Sequence, residues 1–197
     1  MKPVRVLYDW VLSWAETPYG VPALVLLAFA EACFFPIPPD VLLIALCLAL
    51  PTRAFRYALF ACLGSVSGGV VGYVIGLSLW GSVGPYFFQY VPGFSQAHFE
   101  YVRDLFVRYD FWTIFAAGFT PIPYKVFTIA SGVFKIDLPV FVVASVVSRG
   151  LRFVLVAWLL HRYGAVAKQF IDKYFNLLTL IFLLLLVGGF VLIKYIL

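Results

Sequence analysis

The sequence predicts an all-α integral membrane protein built as two inverted repeats. Three observations point there. Apolar residues make up 64% of the chain and charged residues only 12%. Several apolar stretches are long enough to cross a bilayer. A Pro-rich break occurs twice in similar form. A soluble domain carries about 25% charge and 45–50% apolar residues. A soluble fold of 197 residues with this composition lacks the polar surface to cover itself. One membrane domain covers 1–197. Basic residues outnumber acidic ones, 14 to 9, but they are scattered and form no run, which argues against a nucleic-acid partner. Cys33, Cys47 and Cys62 lie within apolar stretches and read as small buried hydrophobes, not as a disulfide framework or a metal site.

The first apolar stretch contains Glu31, a Pro-rich break and Asp40, so it does not read as a cleavable signal. Its first limb, Gly20–Phe35, reaches about 24 Å as a helix. Pro36, Pro38 and Pro39 then remove three backbone donors and force an extended turn. The second limb, Asp40–Leu50, reaches about 16 Å. A full span follows at 57–80, without a charge. Within it Gly64, Gly68, Gly72 and Gly76 recur every four residues, a small-residue stripe for close helix packing. The stripe suits a hairpin packed on the span; the alternative is a dimer seam in a homo-oligomer.

The linker 81–110 differs in character. Pro92-Gly93 marks a turn and Ser95 is a candidate cap. Phe99, Val102, Phe106 and Tyr109 share one face, with Glu100, Arg103, Asp104 and Arg108 elsewhere. The pattern predicts a short amphipathic helix lying in the membrane interface.

A second broken pair follows, Phe111–Thr120 of about 15 Å and Lys125–Ile136 of about 18 Å. Pro121 and Pro123 separate its limbs. Neither limb spans alone. Each pair is expected to be a re-entrant hairpin, its irregular turn buried in protein or facing a wet cavity. A span at 138–160 carries Arg149 and Arg152 near its middle, and 174–193 is an uncharged, Leu-rich last span.

The two breaks match at six of ten positions, from Pro36 and from Pro121. The order of broken hairpin and full span repeats as well, over about 18–80 and 111–163, and one crossing between the units inverts the second. Inverted repeats with discontinuous helices are the transporter pattern, with the site near the midplane. Arg53 and Arg56 fall on the same side as Arg162, Lys168 and Lys173, taken as cytoplasmic. The C-terminal segment 174–197 then ends on the opposite side, although Lys194 argues mildly against it.

Five charges lie within apolar sequence: Glu31, Asp40, Lys125, Arg149 and Arg152. Such a charge costs about 2.5–3.5 kcal/mol near a helix centre and is a functional hypothesis by default. The repeat places Asp40 and Lys125 at equivalent positions, so a pair between them is expected. Arg149 and Arg152 share a helix face. The net positive balance suits a phosphate-bearing ligand at Lys125, Arg149 and Arg152. Glu31 and Asp40 would balance charge or carry a proton. The structural alternatives are ion pairs that only lock helices together, and snorkelling for Arg152.

Enzyme motifs fail. His98 and His161 have no metal-ligand company. Ser65, Ser67 and Ser148 have no histidine base at a suitable place. No cofactor or metal site is expected.

Taken together, Glu31-x4-Pro36-Ile-Pro-Pro-Asp40, Gly118-Phe-Thr-Pro121-Ile-Pro-Tyr-Lys125 with Ala130-Ser-Gly132, and Ser148-Arg149-Gly150-Leu-Arg152-Phe153 resemble the DedA family, also called the SNARE-associated Golgi protein family or VTT domain. The resemblance covers roughly residues 18–165. It implies two inverted re-entrant hairpins and a lipid-translocating role in a bacterial cytoplasmic membrane, as a flippase or scramblase of phospholipid or polyprenyl phosphate, with proton coupling in some members. Glu31 and Asp40 match the family's acidic residues. Lys125 stands where an arginine is usual, and Gly118 where a second one is; Arg149 or Arg152 would compensate. Two other readings stay open: a proton-coupled transporter of a small solute or cation, with an enclosed site, and a non-transporting membrane scaffold.

Overall fold

A computed structural model describes residues 17, 19–35, 37–90, 96–120 and 123–164. Pro36, Pro121, the Pro92-Gly93 turn, Ser95 and the last span at 174–197 lie outside the described residues. Among the described residues regular structure is entirely helical. The elements are α1 (Gly20–Cys33), α2 (Asp40–Ala49), α3 (Ala54–Tyr90), α4 (Gln96–Arg108), α5 (Asp110–Phe119), α6 (Tyr124–Val133) and α7 (Leu138–Gly164). A 3-10 turn at Pro51–Arg53 leads into α3. Among the described residues two helical stretches are long and apolar enough to cross a membrane, Pro51–Tyr86 and Leu138–Gly164.

The small-residue stripe sets the packing. A Cβ on Gly64 would meet the backbone of Val25, one on Gly68 the backbone of Phe29, and one on Gly72 the Ala32 carbonyl and Thr128. The contacts rise together in both helices, so α1 runs parallel to α3. On the neighbouring side Tyr124 lies beside Gly69, Thr128 beside Gly72 and Ile129 beside Gly76, so α6 also runs parallel to α3. The stripe is therefore filled from within the chain. Absence of side chains lets three backbones approach closely, which directional contacts then fix.

α7 runs the other way. Phe141 packs on Tyr73, with ring centroids 5.4 Å apart. Farther along α7, the Cys62 thiol points at the Val146 carbonyl, and His161 Nδ1 lies 2.8 Å from the Pro51 carbonyl. Around the α3 start, Leu42, Leu43 and Cys47 of α2 pack with Tyr57 and Ala61 and with Phe153 of α7. Toward the other end, Tyr73, Phe106, Ile114, Phe134 and Phe141 form a second core. The outward face of α7 is apolar, with Val143, Val147, Leu151, Val154 and Trp158 exposed, a surface suited to hydrocarbon.

Several features differ from expectation or extend it. α3 does not stop at 80 but continues to Tyr90 through Pro85, making it about 55 Å long. The carbonyl that a helical Pro85 crowds belongs to Gly81, whose surroundings are open, so the backbone has room to give. α6 stops at Val133, short of Ile136, because Lys135 takes the left-handed conformation with φ 55°. The Ile136 N–H then bonds back to the Ser131 carbonyl and closes the helix end. The amphipathic helix packs its apolar face on protein. Phe99 stacks on Trp80 at 5.1 Å and meets Phe134, and Phe106 packs on Phe127 and Phe134. Tyr109 leaves that face because α4 ends at Arg108; it sits half-exposed at the start of α5.

Candidate functional site

The two breaks end at the same height on α3 and α7. α1 ends where the Cys33 thiol donates to the Gly68 carbonyl, 3.0 Å away. α5 ends where Gly118 lies against Ser148, and α6 starts where Tyr124 lies beside Gly69. Helix ends at a break leave backbone carbonyls and N–H groups unpaired within the helix. Side chains from the opposite unit and from α7 meet several of them here.

Arg152 is the most heavily committed. Its Nε and Nη2 donate to the two oxygens of Asp40, at 3.2 and 2.8 Å. Its Nη1 donates to the Thr120 carbonyl at 2.8 Å, in the break after α5. A bidentate fork of this kind is available to arginine and not to lysine. The pair expected between Asp40 and Lys125 is absent, and Arg152 does not snorkel. α7 passes between the break ends and delivers a planar fork to Asp40, whereas Lys125 lies in the first turn of α6 and faces the end of α1.

Arg149, one turn earlier on α7, is 3% exposed. Its Nη2 bonds Glu31 at 2.9 Å, and its guanidinium stacks over the Tyr124 ring at 4.0 Å. Tyr124 is fully buried and donates to the Ser145 hydroxyl at 2.5 Å. Arg149 Nε and Ser65 Oγ are buried without a hydrogen-bond partner among the described residues.

Lys125 is half-buried. Its Nζ donates to the Phe34 and Phe35 carbonyls, both at 3.4 Å. Beside it, Thr128 Oγ1 donates to the Ala32 carbonyl at 2.9 Å. Among the described residues Lys125 has no carboxylate partner, because Glu31 and Asp40 are taken by the arginines. Gly118 is closed to a larger residue, since a Cβ there would run into Ser148.

No family model matches the chain, and no solved structure does. Two bacterial proteins are similar over most of their length. An uncharacterized protein of Haemophilus influenzae is 38% identical over 162 residues, covering 80% of each chain. A protein of Histophilus somni named "Uncharacterized protein HI0703 homolog" is 37% identical over 176 residues, covering 87% of this chain and 91% of its own. The chain belongs to the family of these two proteins.

For this family member, all five charges singled out in the sequence occupy one region. Pro38, Pro39 and Pro123 lie in the breaks, with Pro39 fully buried. Sequence reasoning missed Tyr124, Thr128 and Ser145. Tyr124 was signalled by the repeat itself, since it stands where the first break has Pro39. Thr128 and Ser145 carried only the weak signal of small polar residues in apolar helices.

Proposed function

We propose that this protein is a multi-pass transporter of the bacterial cytoplasmic membrane that moves a phosphate-bearing lipid headgroup between leaflets. The observation that carries the reading is the convergence of Glu31, Asp40, Lys125, Arg149 and Arg152 on the two breaks, which among the described residues form two ion pairs and one cation without a carboxylate partner. A net positive site amid apolar helices suits an anionic headgroup, whose tail stays in hydrocarbon.

The packing directions support an inverted-repeat reading. α1 and α2 approach from the α3 N-terminal end, and α5 and α6 from the other end. Both pairs then act as re-entrant hairpins whose tips meet. The N-termini of α2 and α6 begin at those tips, where helix dipoles favour anions. The sequence resemblance to the DedA family points the same way. Purified protein in vesicles with a fluorescent-headgroup phospholipid tests the proposal by dithionite quenching. Quenching beyond the outer-leaflet fraction supports it, and a proton gradient that alters the rate adds coupling. Rates equal to protein-free vesicles count against phospholipid and turn the test to a polyprenyl phosphate.

A second reading, a proton-coupled transporter of a small solute, is favoured by one observation. The Glu31–Arg149 pair is enclosed, at 12% and 3% exposure. Uptake of solute without lipid movement would select it.

A further inference from the structure

The three cations at the breaks are not equivalent. Arg152 spends all three nitrogens on Asp40 and Thr120. Arg149 is buried against Glu31 and Tyr124. Among the described residues Lys125 is held only by two neutral carbonyls at 3.4 Å, the long edge of hydrogen-bond range. Those carbonyls belong to the end of α1, where the N–H groups of Phe34 and Phe35 both turn back to Ala30. They form the negative end of the helix and are a natural seat for a cation. A phosphate oxygen is the better partner, since it adds a full opposite charge where the carbonyls offer only a dipole.

We propose that Lys125 is a latch between the two breaks, opened by the phosphate group of the ligand. While Lys125 holds the Phe34 and Phe35 carbonyls, α6 is tied to the last turn of α1. A phosphate that takes the ammonium removes both contacts and loosens that turn. Thr128, bonded to the Ala32 carbonyl, is left as the second tie. Arg149 and Arg152 are positioning residues that hold the carboxylates and keep the tips in register. The proposal rests on the headgroup reading above and adds its regulation: ligand binding precedes release of the first tip.

Cys33 reports the last turn of α1. It precedes Phe34, is 3% exposed and bonds the Gly68 carbonyl. In full-length protein with Cys47→Ala and Cys62→Ala, maleimide labelling of Cys33 is followed in detergent. Lys125→Met is expected to label about tenfold faster than its parent without added lipid, the loss of one charged hydrogen-bonding group. Lys125→Arg is expected to stay slow. Circular dichroism confirms that each variant is folded. Short-chain phosphatidylglycerol is expected to accelerate the parent about tenfold and Lys125→Met no further. Short-chain diacylglycerol, with no phosphate, is expected to do nothing. Acceleration by inorganic phosphate as well supports opening by phosphate from either source; acceleration by the lipid alone supports opening by a headgroup. A folded Lys125→Met as slow as its parent overturns the latch. So does equal acceleration by diacylglycerol, or a parent that responds to neither phosphate. The headgroup reading fails separately, if the parent moves no lipid in vesicles while Cys33 behaves as described.

Discussion

Arg152 and Asp40 are joined by two hydrogen bonds, at 3.2 and 2.8 Å, across 112 positions of sequence. The pair ties α7 to the start of α2, and the third nitrogen of the same arginine ties α7 to the end of α5. One side chain thus fixes both breaks. Acidic charge in the first turn of α2 also suits the positive end of that helix.

Arg152→Ala should therefore destabilise the fold by about 2–4 kcal/mol, because it leaves the Asp40 carboxylate in a mostly buried site. Arg152→Lys should recover only part of the loss, since a point charge cannot grip both oxygens and Thr120 together. Asp40→Asn in the Arg152→Ala background should restore stability relative to the single variant. Thermal unfolding in detergent reads all three. Equal stability of Arg152→Ala and the parent would contradict the clamp.

Tyr124 serves Arg149 by its ring and Ser145 by its hydroxyl. Tyr124→Phe should keep the ring contact and cost about 1 kcal/mol for the lost hydrogen bond. Ser145→Ala should cost a similar amount, and the double variant little more than either. Tyr124→Ala should cost about 3–5 kcal/mol through the cavity it leaves. Denaturant unfolding of the four proteins checks the pattern, and additive losses in the double variant would argue against a shared bond.

Glycines on α3 should divide by what surrounds them. A Cβ on Gly68 would overlap the Phe29 backbone, whereas a Cβ on Gly81 meets nothing within 4 Å. Gly68→Ala should destabilise by about 1–3 kcal/mol, because a backbone cannot step aside as a side chain can. Gly81→Ala should stabilise by about 0.5–1 kcal/mol by helix propensity alone. Melting temperatures moving in opposite directions confirm the packing; a tolerated Gly68→Ala contradicts it.

Much of this site is legible in the sequence for physical reasons. Charges in apolar helices are expensive, so Glu31, Asp40, Lys125, Arg149 and Arg152 stand out without any structure. The glycine period of four fixes a helix face, and that face is where α1 and α6 pack. Pairing is not legible in the same way. Asp40 and Lys125 occupy matched positions in the repeat, but α7 brings Arg152 closer, and only the tertiary arrangement decides between them. The destination of the Lys125 ammonium was hidden because backbone carbonyls carry no sequence signal. The continuation of α3 through Pro85 was hidden because Pro marks an end more often than a bend.

The central claim is that a lipid headgroup passes the site at Lys125. It is tested most directly by dithionite quenching of fluorescent-headgroup phospholipid in vesicles holding the parent, Lys125→Met or Lys125→Arg, each verified as folded. The account predicts quenching beyond the outer-leaflet fraction for the parent, loss in Lys125→Met and substantial retention in Lys125→Arg, which keeps the charge. A folded Lys125→Met that moves lipid as fast as the parent would contradict it.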